Sequence, residues 1–237
     1  MFTLGPPLWG GETGDPYWSY VKTLLHFDGN TTDSSTAGVT YTNSGGATLA
    51  TSGQLYGSGA LDCRPSNNAT CSGSSAALVM GAGDFCIECW FRDENQGTKN
   101  QYVWTIEESS ASKTVRVYAP SAGNISCDVS GGGPVGSVAY SYNVWIHSAV
   151  TRSGNNWTHW INGVAQQTWT NATFSGNSSI LVYVGKGTGP NSGVSVMRGA
   201  PAARRSRQTR RTVRQTSSHP PPVSQPASTS VAQWTPR

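Results

Sequence analysis

Apolar side chains recur at every second position in short runs between Tyr20 and Val184, and no segment sustains a 3.6-residue period. Period two sends alternate side chains to opposite faces of a strand, so each run reads as a strand with at least one buried face. Phe85, Ile87, Cys89 and Phe91 share one face of their run, while Cys86, Glu88 and Trp90 share the other. Both faces are apolar enough to be covered, which predicts a central strand. Val144, Ile146, Ser148 and Val150 alternate with Trp145, His147, Ala149 and Thr151 in the same way. Val21–Phe27, Tyr102–Ile106, Thr114–Tyr118 and Ile180–Val184 read as further strands. Asn162-Gly163 joins the runs Trp157–Ile161 and Val164–Trp169; Asn-Gly suits a type I′ hairpin because both turn residues need positive φ. About eleven or twelve short strands without helices predict an all-β antiparallel sandwich or barrel, not a βαβ fold.

Composition narrows the class. Charged residues are 12% of the 237, against roughly 25% in ordinary globular domains, and nine Trp and 28 Gly stand beside many Ser, Thr and Asn. No apolar run approaches the ~20 residues of a membrane-crossing helix, so membrane insertion is not expected. The start, with Gly-Pro-Pro at 5–7 and no cationic residue before an apolar stretch, does not read as a signal peptide. The net charge of +4 averages two unlike parts. Residues 1–192 carry eight Lys and Arg against twelve Asp and Glu, whereas residues 193–237 carry eight Arg, six Pro and no acid. The expected organisation is an irregular lead-in over 1–19, one β-domain over 20–192, and a disordered Arg/Pro-rich tail over 193–237, whose apolar content is too low to offset its ordering entropy.

Three ordered stretches carry a resemblance. They are Leu24-Leu25-His26-Phe27-Asp28-Gly29, then Asp84-Phe85-Cys86-Ile87-Glu88-Cys89-Trp90-Phe91, then Trp145-Ile146-His147-Ser148-Ala149-Val150 with Trp160-Ile161-Asn162-Gly163. Together they resemble the concanavalin A-like jelly roll in its laminin-G-like branch, over roughly residues 17–187. Asp15-Pro16-Tyr17-Trp18 ahead of the first stretch resembles the variant found in tailed-phage and prophage virion proteins. The resemblance implies two antiparallel sheets packed face to face, with loops at the rims. Trp145 and Trp160 are expected to anchor the core, sugar stacking being the minority reading. In the family a strand with a Gly-Tyr-x-Asp type run usually closes the domain, but here Ser195-Val196-Met197-Arg198-Gly199-Ala200-Pro201 and an Arg-rich stretch follow. That composition suggests a frameshift near 188–198, which would leave a sheet edge unpaired.

No residue is expected to be catalytic. Hydrolases of this fold place carboxylates two residues apart on one strand, so that both enter one cleft. Glu107 and Glu108 are neighbours, on opposite faces, and no Glu-x-Asp or Glu-x-Glu occurs. Cys86-Ile87-Glu88-Cys89 has metal-like spacing, yet a strand sends the two sulfurs to opposite faces, so zinc is not expected. No cofactor is expected, with structural calcium as the one candidate at Asp28, Asn30 and Asp33. The competing reading of those three is a turn whose side chains bond their own backbone. The five cysteines are expected as reduced, mostly buried thiols. The Arg run at 204–214 lacks interleaved aromatics, so nucleic-acid binding is not expected.

The chain is therefore expected to be a non-enzymatic recognition module of a phage or prophage virion, in the tail or tail fibre. Its partners would be surface glycans or other virion proteins, with Tyr142, Trp157 and Trp169 as the contact residues because they flank loops. The alternatives are a purely structural virion decoration or oligomerisation domain, and a degenerate glycoside hydrolase.

Overall fold

The structure, a computed structural model, describes residues 18–64, 69–94, 101–108, 113–121, 123–130, 133–134, 136–172, 174, 180–185 and 197–198. Two 3₁₀ turns, Trp18–Tyr20 and Ala76–Leu78, are its helical elements. The strands begin with β1 (Tyr41–Ser44), β2 (Thr48–Ala50), β3 (Ala60–Asp62), β4 (Thr70–Ser75) and β5 (Phe85–Arg92). Next come β6 (Gln101–Glu108), β7 (Lys113–Ser121), β8 (Asn124–Val129), β9 (Gly133–Pro134) and β10 (Val138–Ala139). The last are β11 (Trp145–Ser153), β12 (Asn156–Ile161), β13 (Val164–Thr170), β14 (Ile180–Val184) and β15 (Met197–Arg198).

All ladders are antiparallel. One sheet runs β1-β4-β14-β6-β7-β8-β10, with β9 also on β8; the other runs β13-β12-β11-β5-β15-β3-β2. The in-and-out alternation causes this arrangement. In β5 every second residue is buried, and β12 and β14 repeat the pattern. The inward residues of both sheets, among them Ile87, Phe91, Trp104, Val117, Ile125, Val150, Trp157 and Val182, join one apolar core. This is the all-β sandwich that the alternation predicts, and β5 is central in its sheet. Asn162 (φ 49°) and Gly163 (φ 78°) make the β12–β13 turn with both residues left-handed, as a type I′ hairpin requires.

Two expectations are corrected. Val21–Phe27 does alternate, with Val21, Thr23, Leu25 and Phe27 buried, but it forms isolated bridges at Val21 and at Leu25, the latter to Asp33, and no continuous ladder. Phe27, at φ 58°, turns the chain before a ladder can extend. The domain also does not end at 192. Met197 pairs with both Leu61 and Phe91, and Arg198 with Trp90, so β15 lies between β3 and β5 where a closing strand belongs. The slot is interior to the sheet, not an unpaired edge. The rest of the tail, 199–237, and the lead-in over 1–17 lie outside the described residues.

Candidate functional site

The solvent side of the β5–β11–β12 sheet carries an aromatic group that alternation built opposite the core. Register sets Trp90 across from His147, Arg92 across from Trp145, and both Glu88 and Trp160 beside Ala149. The Trp90 and His147 rings lie 5.1 Å apart, and the Tyr56 ring meets Trp90 edge-on at 6.0 Å. His147 Nε2 is 3.5 Å from Glu88 Oε2, so a polar pair adjoins the Trp90 ring. Trp90, Trp145 and Trp160 are half-buried and Tyr56 is 48% exposed. Ladder geometry puts the Trp90 and Trp160 Cα atoms roughly 12 Å apart, a span suited to a short oligosaccharide and too long for one sugar ring.

Each ring is held in place. Trp145 Nε1 donates to Gly53 O at 3.2 Å, and the Arg92 guanidinium sits 5.4 Å from the Trp145 ring centre while pairing with Glu94. Trp160 Nε1 donates to Thr151 Oγ1 at 2.9 Å. Asn162 Oδ1 accepts from His147 N at 3.0 Å, which ties the type I′ turn to this face. The Trp145 and Trp160 indole N–H groups are satisfied, so a ligand stacking on this face would leave neither donor unpaired.

The sequence assigns these residues differently. Trp145 and Trp160, expected as core anchors, belong to the outer face and are absent from the core cluster. Trp157, expected to contact ligand, is fully buried, so it cannot serve as a surface platform. It packs edge-on against Phe85 (5.2 Å) and Phe174 (5.8 Å), stacks on Trp169 (5.8 Å), and donates to Asn171 O at 3.2 Å. Trp169 is half-buried against that same core. Tyr142 packs elsewhere, edge-on to Tyr140 at 5.7 Å, so the three expected contact residues do not form one surface. Trp90 was legible as facing away from Phe85 and Ile87, but its apolar character suggested a covered face.

The oxygen-rich cluster is a turn-fixing set. Asp33 Oδ1 accepts from Leu24 N and Ser35 N, and Oδ2 accepts from Ser35 Oγ and Val39 N, all at 2.8–2.9 Å. Asp28 Oδ1 accepts from Ser58 N and Gly59 N, and Asn30 Oδ1 from Thr32 N. These bonds give Asp28, Asn30 and Asp33 the turn-fixing role that competes with calcium binding. Among the described residues no group of three His, Cys, Asp or Glu is placed to hold a metal ion.

One hydrogen-bonded chain has the connectivity of a nucleophile and base. Ser148 Oγ is 3.1 Å from His159 Nε2, and His159 Nδ1 is 3.2 Å from Gln167 Oε1. Ser148 and His159 are fully buried between the sheets, and burial pushes the imidazole down to about 4, against the opposing Gln167 bond. The buried imidazole ties β11 to β13 through Ser148 and Gln167. All five thiols are free; four are buried, and Cys86 and Cys89 take opposite faces of β5.

No curated protein matches the sequence. Solved structures with similar folds include the binding domain of botulinum neurotoxin serotype G, at 15% identity and TM-score 0.55, over 76% of this chain and 46% of that one. Domain 4 of a GH43 extracellular arabinanase from Geobacillus stearothermophilus, solved in complex with arabinotriose, matches at 16% identity and TM-score 0.57, covering 78% and 93%. A carbohydrate esterase from the Shiga toxin-encoding bacteriophage phi24B matches at 14% and 0.54, covering 78% and 99%. The chain thus spans about half of the neurotoxin domain and nearly all of the other two. At these identities the likeness is one of fold. The profile of the concanavalin A-like lectin/glucanases superfamily matches residues 65–199, more than half of the chain. With its two antiparallel sheets and a strand at Met197–Arg198 inside the matched span, the chain belongs to the concanavalin A-like lectin/glucanases superfamily, in its laminin-G-like branch.

Proposed function

We propose that this domain is a non-catalytic carbohydrate-binding module that takes a short stretch of glycan on the outer face of the β5–β11–β12 sheet. The observation that carries the reading is the set Tyr56, Trp90, Trp145 and Trp160 on a solvent-side sheet face beside the Glu88–His147 pair. Indole and phenol rings cover the apolar faces of pyranose rings, and the paired acid and imidazole supply hydrogen bonds to hydroxyls. The arabinanase domain solved with arabinotriose has the same fold and supports the ligand class. Non-catalytic action is supported by Glu107 and Glu108 occupying successive positions of one strand and by the sealed Ser148–His159 pair.

The finer reading places the module in a tailed-phage or prophage virion, where its other partners would be virion proteins. The opening Asp15-Pro16-Tyr17-Trp18 pattern and the fold shared with a phage-encoded esterase support it. Flanking tail or capsid genes are the expected genomic context, and a cellular operon around the gene would remove that role. The binding reading is tested by affinity electrophoresis in gels containing arabinan, xylan or β-glucan. At least one polysaccharide should retard the wild type, and Trp90→Ala should abolish the retardation. Equal mobility of wild type and variant in every gel would refute the site.

A further inference from the structure

We infer that the aromatic face takes the free end of a glycan chain and not its interior, because the loop over residues 51–59 walls it off. The inference rests on the glycan reading above. Two pins hold the loop against the sheet. Near its start, Gly53 O accepts from Trp145 Nε1 at 3.2 Å. Gly53, at φ 74°, lies so close to Arg92 that a Cβ there would sit 2.6 Å from Nη2. Near its end, Asp28 Oδ1 accepts from Ser58 N at 2.7 Å and from Gly59 N at 3.0 Å. Gly59 is packed on Phe27 O with no room for a side chain. Tyr56 stands between the two pins.

The Tyr56 ring makes 73° with Trp90, so the two rings cannot lie under the same flat sugar chain. With Trp90 beneath a sugar face, Tyr56 meets that sugar at its edge, as a wall. The loop leaves β2 and returns to β3, which lie beyond β15 from β5, so it flanks Trp90 on that side. Its contacts with Arg92 and Trp145 close the face where β5 ends and β11 begins. The opposite direction is open. Register aligns Thr151, Thr158 and Thr168 past Trp160, uncharged and half-buried or exposed. Thr151 is about 20 Å further along β11 than Trp145. A chain can therefore stop at Tyr56, with Glu88 and His147 beside its last sugar, and continue over Trp160 toward the threonines. An internal stretch would have to pass through residues 51–59. Because both limbs of the loop are pinned, the wall exists before ligand arrives.

Titration calorimetry counts the copies bound per chain on two linear, debranched fractions of the polysaccharide that retards the wild type, one several times longer than the other. The wild type should bind the same number of copies per chain at both lengths. Tyr56→Ala and Asp28→Ala should each raise that number on the longer fraction in proportion to its length, since either opens the wall. Asp28→Asn keeps an oxygen that accepts both N–H groups, so it should behave as the wild type. Circular dichroism should be unchanged in all three. Wild-type binding that scales with chain length overturns the proposal and leaves the glycan reading standing. So does wild-type stoichiometry, or loss of binding, in both Tyr56→Ala and Asp28→Ala. Absence of binding to either fraction overturns both.

Discussion

The tryptophans of the β5–β11–β12 sheet fall into two sets that the same strands hold on opposite faces. Trp157 is sealed in the core against Phe85 and Phe174, with the Arg152 guanidinium 5.4 Å from its ring centre. Trp90, Trp145 and Trp160 stand on the solvent side, tethered by Thr151, Gly53 and their strand neighbours. Residue type is identical and secondary structure is identical; only the parity of position differs. On the proposed function, parity separates stability from recognition in this sheet, and substitutions should divide the same way.

The sharpest division is at Trp157. Trp157→Ala should cost about 4 kcal/mol by leaving a cavity between the sheets, read as a large drop in the urea midpoint. A loss below about 1 kcal/mol would break the distinction, since outer-face residues should cost that little.

His159 sharpens the same contrast through pH. Its folded value near 4 lies below the ordinary 6.5 because burial disfavours the imidazolium. An unfolded chain takes up the proton as pH falls through 6.5, while the folded chain resists until about 4. The contribution of the neutral imidazole is complete above 6.5 and is lost progressively between 6.5 and 4, up to about 3 kcal/mol. Urea titrations between those limits should show the slope in the wild type and a flatter profile in His159→Gln. Equal slopes would mean that the Ser148–His159–Gln167 chain does not govern acid stability.

On the outer face the effect should appear in binding. Trp160→Ala should weaken glycan retention by about 2 kcal/mol, roughly thirtyfold, with a melting temperature close to wild type. A variant that melts much earlier would mean that Trp160 is structural after all.

The two-sheet fold was legible because period two is a direct geometric consequence of the strand. Phe85–Phe91 and the Asn162-Gly163 hairpin appear where alternation and turn chemistry put them. What alternation cannot supply is which apolar face meets the other sheet. Trp90 and Trp145 read as buried because an indole suits both a core and a stacking platform. Proximity to loops made Trp157 look accessible, whereas Phe174 and Arg152 close over it. The polar strand Thr70–Ser75 gave no alternating apolar signal; its place between β1 and β14 is fixed by pairing across distant parts of the chain. Met197–Arg198 was hidden for a similar reason, since a two-residue strand is recruited by β3 and β5.

The central claim is that recognition belongs to the solvent-side rings and not to the rims or the core. Isothermal titration with the polysaccharide that retards the wild type, run beside thermal melts, puts it to the test with Trp90→Ala/Trp160→Ala and Tyr142→Ala. Heat of binding should vanish in the double variant at an unchanged melting temperature and persist in Tyr142→Ala. Full binding by the double variant, with loss in Tyr142→Ala, would contradict the account.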